Sequence, residues 1–374
     1  MQLFLTGAGY ALTLPAVLYA LVALLCRART YRIGASVQSA LAPPVTVLKP
    51  LCGMEPRLEA NLATLCEQTC PVYQVLLGVR DPDDPAIAVV RRLQQRYPAL
   101  DIHLIVDARV HGSNFKVSNL INMAGAVRYP WLVIADSDIA VLPDYLEKVA
   151  APLADPAIGI VTCLYRAHSF DTFWSRMGAL FIDTWFAPSV RVASAFGASA
   201  FGFGATIAMR ASTLRAAGGF EALRNRLADD FWLGQLVRDR GLATVLSEVC
   251  VTTDVTENDF RSMWSRERRW MQTIRSINPL GYALTFVAFT IPLLALGLWL
   301  APTALNWSLA LLGTLARLGL HFRRPAPGLP AAGHASYAPL RDCLLLLTWL
   351  SAFIGATVQW RQQTVRIDDP VSKN

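Results

Sequence analysis

Trp131-Leu-Val-Ile-Ala-Asp-Ser-Asp138 runs from an aromatic residue through four apolar ones into two carboxylates separated by a single serine. Such a run reads as a buried strand that ends at a polar edge. If the chain stays extended, residues two apart project to one side, so Asp136 and Asp138 are expected to share a partner. Adjacent carboxylates repel unless a cation or proton lies between them. A hard divalent ion, Mg²⁺ or Mn²⁺, bridging to phosphate oxygens resolves that conflict. A solvated turn is the alternative reading.

Outward from this strand, short β-branched runs alternate with longer amphipathic ones from Val45 to about Cys250, the pattern of an α/β domain with a largely parallel sheet. The expected strands are Val45–Leu51, Tyr73–Asp81, Ile102–Asp107, Trp131–Ile139, Ile158–Leu164, Ala205–Arg210 and Ala243–Val249. Asp84–Tyr97 sets Ile87, Val90, Leu93 and Tyr97 on one helical face, and Lys116–Val127 and Pro143–Val149 also read as helices. Ligands of such folds gather at the carboxyl ends of the strands. Met177–Met209 is apolar but interrupted by Asp183 and Arg191. It reads as a buried helix followed by a core strand, or as a channel for a lipid acceptor.

Three further clusters carry chemistry. Asp81 closes the second strand and is followed by Pro82, Asp83, Asp84 and Pro85; Asp84 is placed to cap the next helix or to meet a nucleotide. Asp229 and Asp230 open an amphipathic helix, where capping accounts for one carboxylate and leaves the other free to act as a general base. Arg261 to Arg275 forms a basic, aromatic helix. An interfacial belt explains much of it, whereas Arg266, Arg269 and Trp270 suit a departing diphosphate.

Composition adds a membrane. Of the 374 residues, 54% are apolar and 16% charged, well under the roughly 25% charge of soluble domains. The first 26 residues carry no charge and no histidine, and Phe4–Cys26 as a helix spans about 34 Å, enough for a hydrocarbon core. Arg27, Arg29 and Arg32 follow it, so the next segment is expected on the cytoplasmic side. Gly281–Leu300 and Trp307–Leu320 read as a helical hairpin, with Arg323 and Arg324 marking the return, and Cys343–Trp360 as a segment that spans or re-enters. Ala35–Pro44 is the expected linker. The seven cysteines are scattered without CxxC pairs, which argues against zinc and disulfides. The net charge of +7 comes without a basic run interleaved with aromatics in the soluble part, so anionic headgroups and a diphosphate donor are expected rather than nucleic acid.

Taken in order, Asp84 in Asp-Pro-Asp-Asp-Pro-Ala, Asp136 in Ala-Asp-Ser-Asp, Asp230 in Ala-Asp-Asp-Phe-Trp, and Arg266-Glu-Arg-Arg269-Trp270 resemble the motif series of the ceramide glucosyltransferase family, glycosyltransferase family 21, and of its bacterial relatives that glycosylate hopanoids. Leu48-Lys-Pro-Leu51 and Asn114-Phe-Lys-Val-Ser-Asn119 are also similar to that family, and the likeness runs from about Val45 to Ile274. The resemblance implies a GT-A fold at 45–277 between a 1–34 anchor and a 281–360 transmembrane region, a UDP-sugar donor, a divalent metal and inversion at the anomeric carbon. It implies Asp230 as base, with Asp81, Asp84, Lys116 and Asp136 on the donor, Asp136 and Asp138 on the metal, and Arg266, Arg269 and Trp270 on the diphosphate and acceptor side. Asp138 completes a DxD where the ceramide-type pattern fixes only the first aspartate. That feature departs from the ceramide type, and the Asp-Pro-Asp-Asp-Pro-Ala and Asn-Phe-Lys-Val-Ser-Asn stretches resemble more closely the hopanoid-type relatives, acting on a polyol such as bacteriohopanetetrol with N-acetylglucosamine or glucose, with ceramide glucosylation as the alternative. The implied setting is a bacterial inner membrane with the catalytic domain cytoplasmic. A processive synthase would need more membrane helices, and a non-catalytic scaffold would lack these acidic and basic residues. A transporter is excluded by the long α/β pattern between the apolar segments.

Overall fold

The computed structural model describes residues 1–31, 43–323, 334–355, 357–360 and 363–366, and the chain divides into two units. One comprises Arg29–Tyr165 and Gly197–Asp254; the other comprises Met1–Ala28, Arg166–Phe196 and Val255–Asn374. Most of the expected linker, together with Arg32, Arg324 and Arg361, lies outside the described residues.

The first unit is built on an eight-stranded sheet. In chain order its strands are β1 (Val45–Pro50), β2 (Tyr73–Val79), β3 (Asp101–Val106), β4 (Trp131–Ile134), β5 (Ile139–Ala140), β6 (Ile158–Ser169), β7 (Ile207–Arg210) and β8 (Ala243–Val255). They lie in the order β3-β2-β1-β4-β7-β6-β8-β5. The first four are mutually parallel, with Val47 of β1 facing Val75 of β2 and Val133 of β4. Beyond β4 the pairing of β7 with β4 and β6 is antiparallel, as is that of β5 with β8.

Both faces of β1, β2 and β4 are covered, so these strands are largely buried rather than alternating, whereas the edge strand β3 is partly exposed. Val45, Val47, Val75 and Leu77 enter one core, while Leu48, Leu76, Leu132 and Ile134 enter another. The helix Ala86–Arg96 buries Ile87, Val90 and Leu93, as its periodicity predicts. The helix Phe115–Ala124 starts at Asn114, whose side chain accepts from the Val117 amide. It sits flush with β2 because Gly78 has no side chain: a Cβ there would run into Asn119 and Met123, and Asn119 Nδ2 instead donates to the Gly78 carbonyl at 2.7 Å.

One strand departs from expectation in a way that shapes the site. Trp131–Ile139 does not continue as a strand; β4 stops at Ile134, and the chain turns before joining β8 as β5. The turn is held because the Asp136 amide donates to the Gly204 carbonyl and the Asp138 carbonyl accepts from the Asp254 amide, neither of which is a β4 ladder partner.

The second unit is helical. Gln2–Leu25 is long and apolar enough to cross a membrane. It packs with Thr290–Leu300 and Ala304–Gly319 around Ala16, Val17, Leu294 and Ala310. Gly9 lets the first of these helices approach closely, since a Cβ there would lie 2.8 Å from the Gly297 carbonyl, the small-residue contact typical of helices in lipid. Gly281–Leu300 is not one straight helix: Pro279–Ala288 and Thr290–Leu300 meet at a bend of 70°. Pro292 explains the break, because it has no N–H to offer the carbonyl four residues back. The run Cys343–Trp360 is divided as well. Its helix, Ala338–Ser351, is about 21 Å long, short of a bilayer's hydrocarbon core. Gly355 then adopts a left-handed φ of +89°, and Thr357–Trp360 pairs with Gln363–Arg366 as an antiparallel hairpin.

Two buried ion pairs bind these helices. Arg317 meets Asp342 at 2.6 Å, and Arg341 grips Glu267 through both guanidinium nitrogens at 2.9 and 2.7 Å. Of the two readings of Met177–Met209, the structure has buried helix, Phe173–Phe181 and Ala187–Ala195 joined by a π-helical turn, and later the strand β7.

Candidate functional site

In the sheet-based unit, the acidic cluster forms around Lys116. Its ammonium lies 2.6 Å from Asp136 Oδ1 and 3.4 Å from Asp229 Oδ2. Burial opposes its charge, but Asp136, Asp229 and Asp230 outweigh it and hold the ammonium above the ordinary lysine range. Asp229 and Asp230 form the first turn of the helix Asp229–Arg238. No side chain caps this helix, contrary to the capping expected of one of the pair, and the two carboxylates make different contacts: Asp229 turns toward Lys116 and Asn114. Asp230 Oδ2 accepts from the Gly204 amide at 2.8 Å, and Oδ1 accepts from the Phe231 amide. Burial first, and then the charge of Asp229, push the Asp230 carboxyl up to about 6, into the range useful to a general base.

Gly204 ties the cluster together. Its amide reaches Asp230, its carbonyl accepts from the Asp136 amide, and a Cβ in its place would lie 2.7 Å from Asp136 Oδ2. Gly202 makes similar room, since its Cβ would meet the Asp230 carbonyl at 2.5 Å. The motif reading missed both. The signal was present as Gly202-Phe-Gly204 just ahead of β7.

Among the described residues Asp136 and Asp138 have no hydrogen-bond or ion-pair partner in common, because the turn after Ile134 ends the strand geometry that would align them, although the charge of Lys49 acts on both. Asp138 Oδ2 instead accepts from Thr253 Oγ1 at 2.8 Å. Burial, with the charges of Asp136 and Glu55, pushes its carboxyl up to about 7. Lys49 lies fully buried below, donating to the Ile139 carbonyl at 2.9 Å, and burial brings it down to about 8. Among the described residues no three His, Cys, Asp or Glu side chains converge as a metal cage. The donor set still fits a hard cation that draws its remaining ligands from a substrate diphosphate: all-oxygen, and crowded enough with negative charge that Asp138 resists ionising.

The earlier acidic cluster has a structural task. Both oxygens of Asp84 accept from the Gly53 amide, at 3.1 and 2.9 Å, and Oδ1 also accepts from the Ala86 amide. Asp84 therefore fastens the loop after β1 to the start of the helix Ala86–Arg96, which follows β2. Asp81 is exposed and accepts from the Asp83 amide.

In the helical unit, Arg266 pairs with Glu257 at 2.7 Å and stands 5.4 Å from the Trp270 ring, which also packs on Phe181. All three expected residues lie on the helix Phe260–Ile277, and Arg266 and Arg269 line a polar cavity of about 430 Å³.

The sequence profile of Glycosyl transferase family 21 matches residues 8–371. Ceramide glucosyltransferase 1 of Caenorhabditis elegans is 26% identical over 231 residues, 62% of this chain and 49% of that protein. A ceramide glucosyltransferase of Komagataella phaffii is 30% identical over 108 residues, 28% of this chain and 21% of its own. The chain thus spans about half the length of the Caenorhabditis elegans relatives it matches. Among solved structures, the mannosyltransferase PcManGT from Pyrobaculum calidifontis, in complex with GDP-mannose and Mn²⁺, aligns with a TM-score of 0.57 at 19% identity, covering 94% of this chain and 97% of that one. That likeness is one of fold, and the fold is GT-A.

Proposed function

The chain belongs to glycosyltransferase family 21 and is a sugar transferase, and from that premise we propose that it moves N-acetylglucosamine or glucose from a UDP-sugar onto the hydroxyl of a membrane lipid, a hopanoid polyol such as bacteriohopanetetrol, with inversion. The observation that carries the reading is Asp230: a carboxylate raised to about 6 and aimed by the Gly204 amide beside the Lys116–Asp136 pair. We assign the protein to a bacterial inner membrane, anchored by Gln2–Leu25, with its catalytic unit in the cytoplasm.

The chemistry is a single displacement. Asp230 takes the proton of the acceptor hydroxyl as its oxygen forms a bond to the anomeric carbon. The bond from that carbon to the diphosphate oxygen breaks, and its electron pair leaves with UDP. A Mg²⁺ or Mn²⁺ ion held by Asp136 and Asp138 would supply charge neutralisation at the diphosphate. Lys116 holds Asp136 in place and adds its own positive charge. Asp81 and Asp84 serve the donor side, Asp84 by fixing the loop at Gly53. Arg266, Arg269 and Trp270 are assigned to the diphosphate and acceptor side on motif order.

A second reading, glucosylceramide synthesis, is favoured by what the curated relatives are named. UDP release by the purified protein in detergent separates the two, crossing UDP-glucose and UDP-N-acetylglucosamine with ceramide and bacteriohopanetetrol. Asp230→Asn should abolish release while sparing UDP-sugar binding; retained turnover would remove Asp230 as the base.

A further inference from the structure

In the sheet-based unit, residues 112–114 lead into the helix that carries Lys116, and residues 224–226 lead to Asp229 and Asp230. The two segments are far apart in the chain and are joined directly. Asn114 is the hub of the joint. Its side-chain oxygen accepts from the Val117 amide at 3.0 Å and so caps the helix Phe115–Ala124. Its backbone amide donates to the Arg224 carbonyl at 2.8 Å, and Nδ2 donates to the Arg226 carbonyl at 2.8 Å and to Asp229 Oδ1 at 3.3 Å. One buried residue thus starts the lysine helix and holds the approach to the two aspartates.

Asn225 closes the joint from the opposite side. Its Oδ1 accepts from the Ser113 amide at 3.0 Å, although the residue itself is exposed. Gly112 permits the approach, since a Cβ there would run into the Arg224 carbonyl and Asn225 Oδ1. The lysine helix is fixed to β2 at Asn119, but Lys116 belongs to its first turn, whose N-terminal end hangs on the bonds to residues 224–226. Where that turn lies decides whether the ammonium reaches Asp136 and Asp229 together, at 2.6 and 3.4 Å. Among the described residues Asn225 makes no hydrogen bond to any of these charged groups; its bond is to the segment that carries one of them.

Resting on the reading of Asp230 as the base, we propose that Asn225 is a positioning residue: it clasps the segment before Lys116 to the segment before Asp229 and Asp230, so that the ammonium and the base are set as one piece. The bond to Ser113 needs only an acceptor oxygen at position 225. An aspartate there serves as well as the native side chain, and an apolar residue of similar size does not.

The test uses the full chain in detergent with the donor and lipid pair that gives UDP release. Asn225→Leu should lower kcat by ~10-fold or more, since misplacement by about an ångström is worth up to ~100-fold, and leave the KM for the UDP-sugar within about twofold. Asn225→Asp should keep most of the kcat. Acetylation by acetic anhydride, read by mass spectrometry, reports the placement without turnover. Lys116 is largely shielded between two carboxylates, and Lys148, exposed on the helix Tyr145–Ala150, is the internal reference. The rate at Lys116 relative to Lys148 should rise ~10-fold in Asn225→Leu, the scale of a lost hydrogen bond between charged groups, and stay at the wild-type value in Asn225→Asp. If Asn225→Leu does not fold, Gly112→Ala takes its place, because the added methyl forces the two segments apart and should move both readouts the same way. Wild-type kcat or wild-type labelling in Asn225→Leu, or an Asn225→Asp enzyme equally impaired, overturns the proposal. If the wild type releases no UDP with any pair, labelling alone decides. Faster acetylation in Asn225→Leu then upholds the clasp and only the reaction reading fails, whereas an unchanged rate overturns the clasp.

Discussion

The Gly204 amide donates to Asp230 Oδ2 at 2.8 Å, so the residue that orients the base is also the one whose carbonyl accepts from the Asp136 amide. A methyl group at position 204 would stand 2.7 Å from Asp136 Oδ2 and 3.1 Å from Lys116 Nζ. Gly204→Ala should therefore displace both partners and lower kcat by ~100-fold, the scale attached to an ångström of misplacement. Steady-state kinetics check this, and a wild-type kcat would show that the loop yields without consequence.

The pH dependence follows from Asp230. A base must be ionised to act, and burial with Asp229 alongside raises this carboxyl to about 6. Below that value kcat/KM should fall by about tenfold per pH unit, and above it the profile should be flat until another group titrates. Asp229→Asn removes the neighbouring negative charge, so the rising limb should move to lower pH. A limb that stays in place would mean that Asp229 does not set the base.

The cation requirement is expected to run through Thr253. Its hydroxyl donates to Asp138 Oδ2 at 2.8 Å, and loss of such an outer partner weakens metal binding by ~10–100-fold. In Thr253→Val, the Mn²⁺ or Mg²⁺ concentration for half-maximal UDP release after EDTA treatment should rise on that scale. An unchanged titration would place the cation elsewhere.

Arg341 and Glu267 supply a stability test. Arg341→Met strands a buried carboxylate and should cost ~3–5 kcal/mol, whereas adding Glu267→Met should recover most of that loss. Thermal unfolding in detergent reads both, and a double variant no better than the single one would show that the pair is not a closed unit.

Much of this was legible in the sequence, for identifiable reasons. The central parallel strands could be read because they are short, largely apolar runs rich in β-branched residues, and Asp136, Asp230 and Lys116 because they follow strands or open helices. The turn after Ile134 was not legible: it is imposed by backbone bonds to Gly204 and Asp254, residues far along the chain. Glycine's role at 202 and 204 lies in what its missing Cβ would strike, and that is knowable only once Asp136 and Asp230 are placed. The broken helix at Pro292 was written plainly, but the length of the apolar run masked it. The pairing of Arg266 with Glu257 is local in sequence, nine residues apart, yet a motif that begins at Arg266 leaves its partner outside.

Arg341 and Asp342 are neighbours of opposite sign on one short helix, and each reaches a different helix carrying its counter-charge. Sliding that helix by one residue would bring Asp342 toward the place of Arg341, opposite Glu267, and would leave Arg317 unanswered in the interior. Apolar contacts tolerate such slippage, since one leucine substitutes readily for another. Here the two charges act as a combination lock: only one seating opens, and near misses are rejected rather than merely disfavoured. The assembly of the C-terminal helices is thus specified by two adjacent side chains more than by the apolar surface around them.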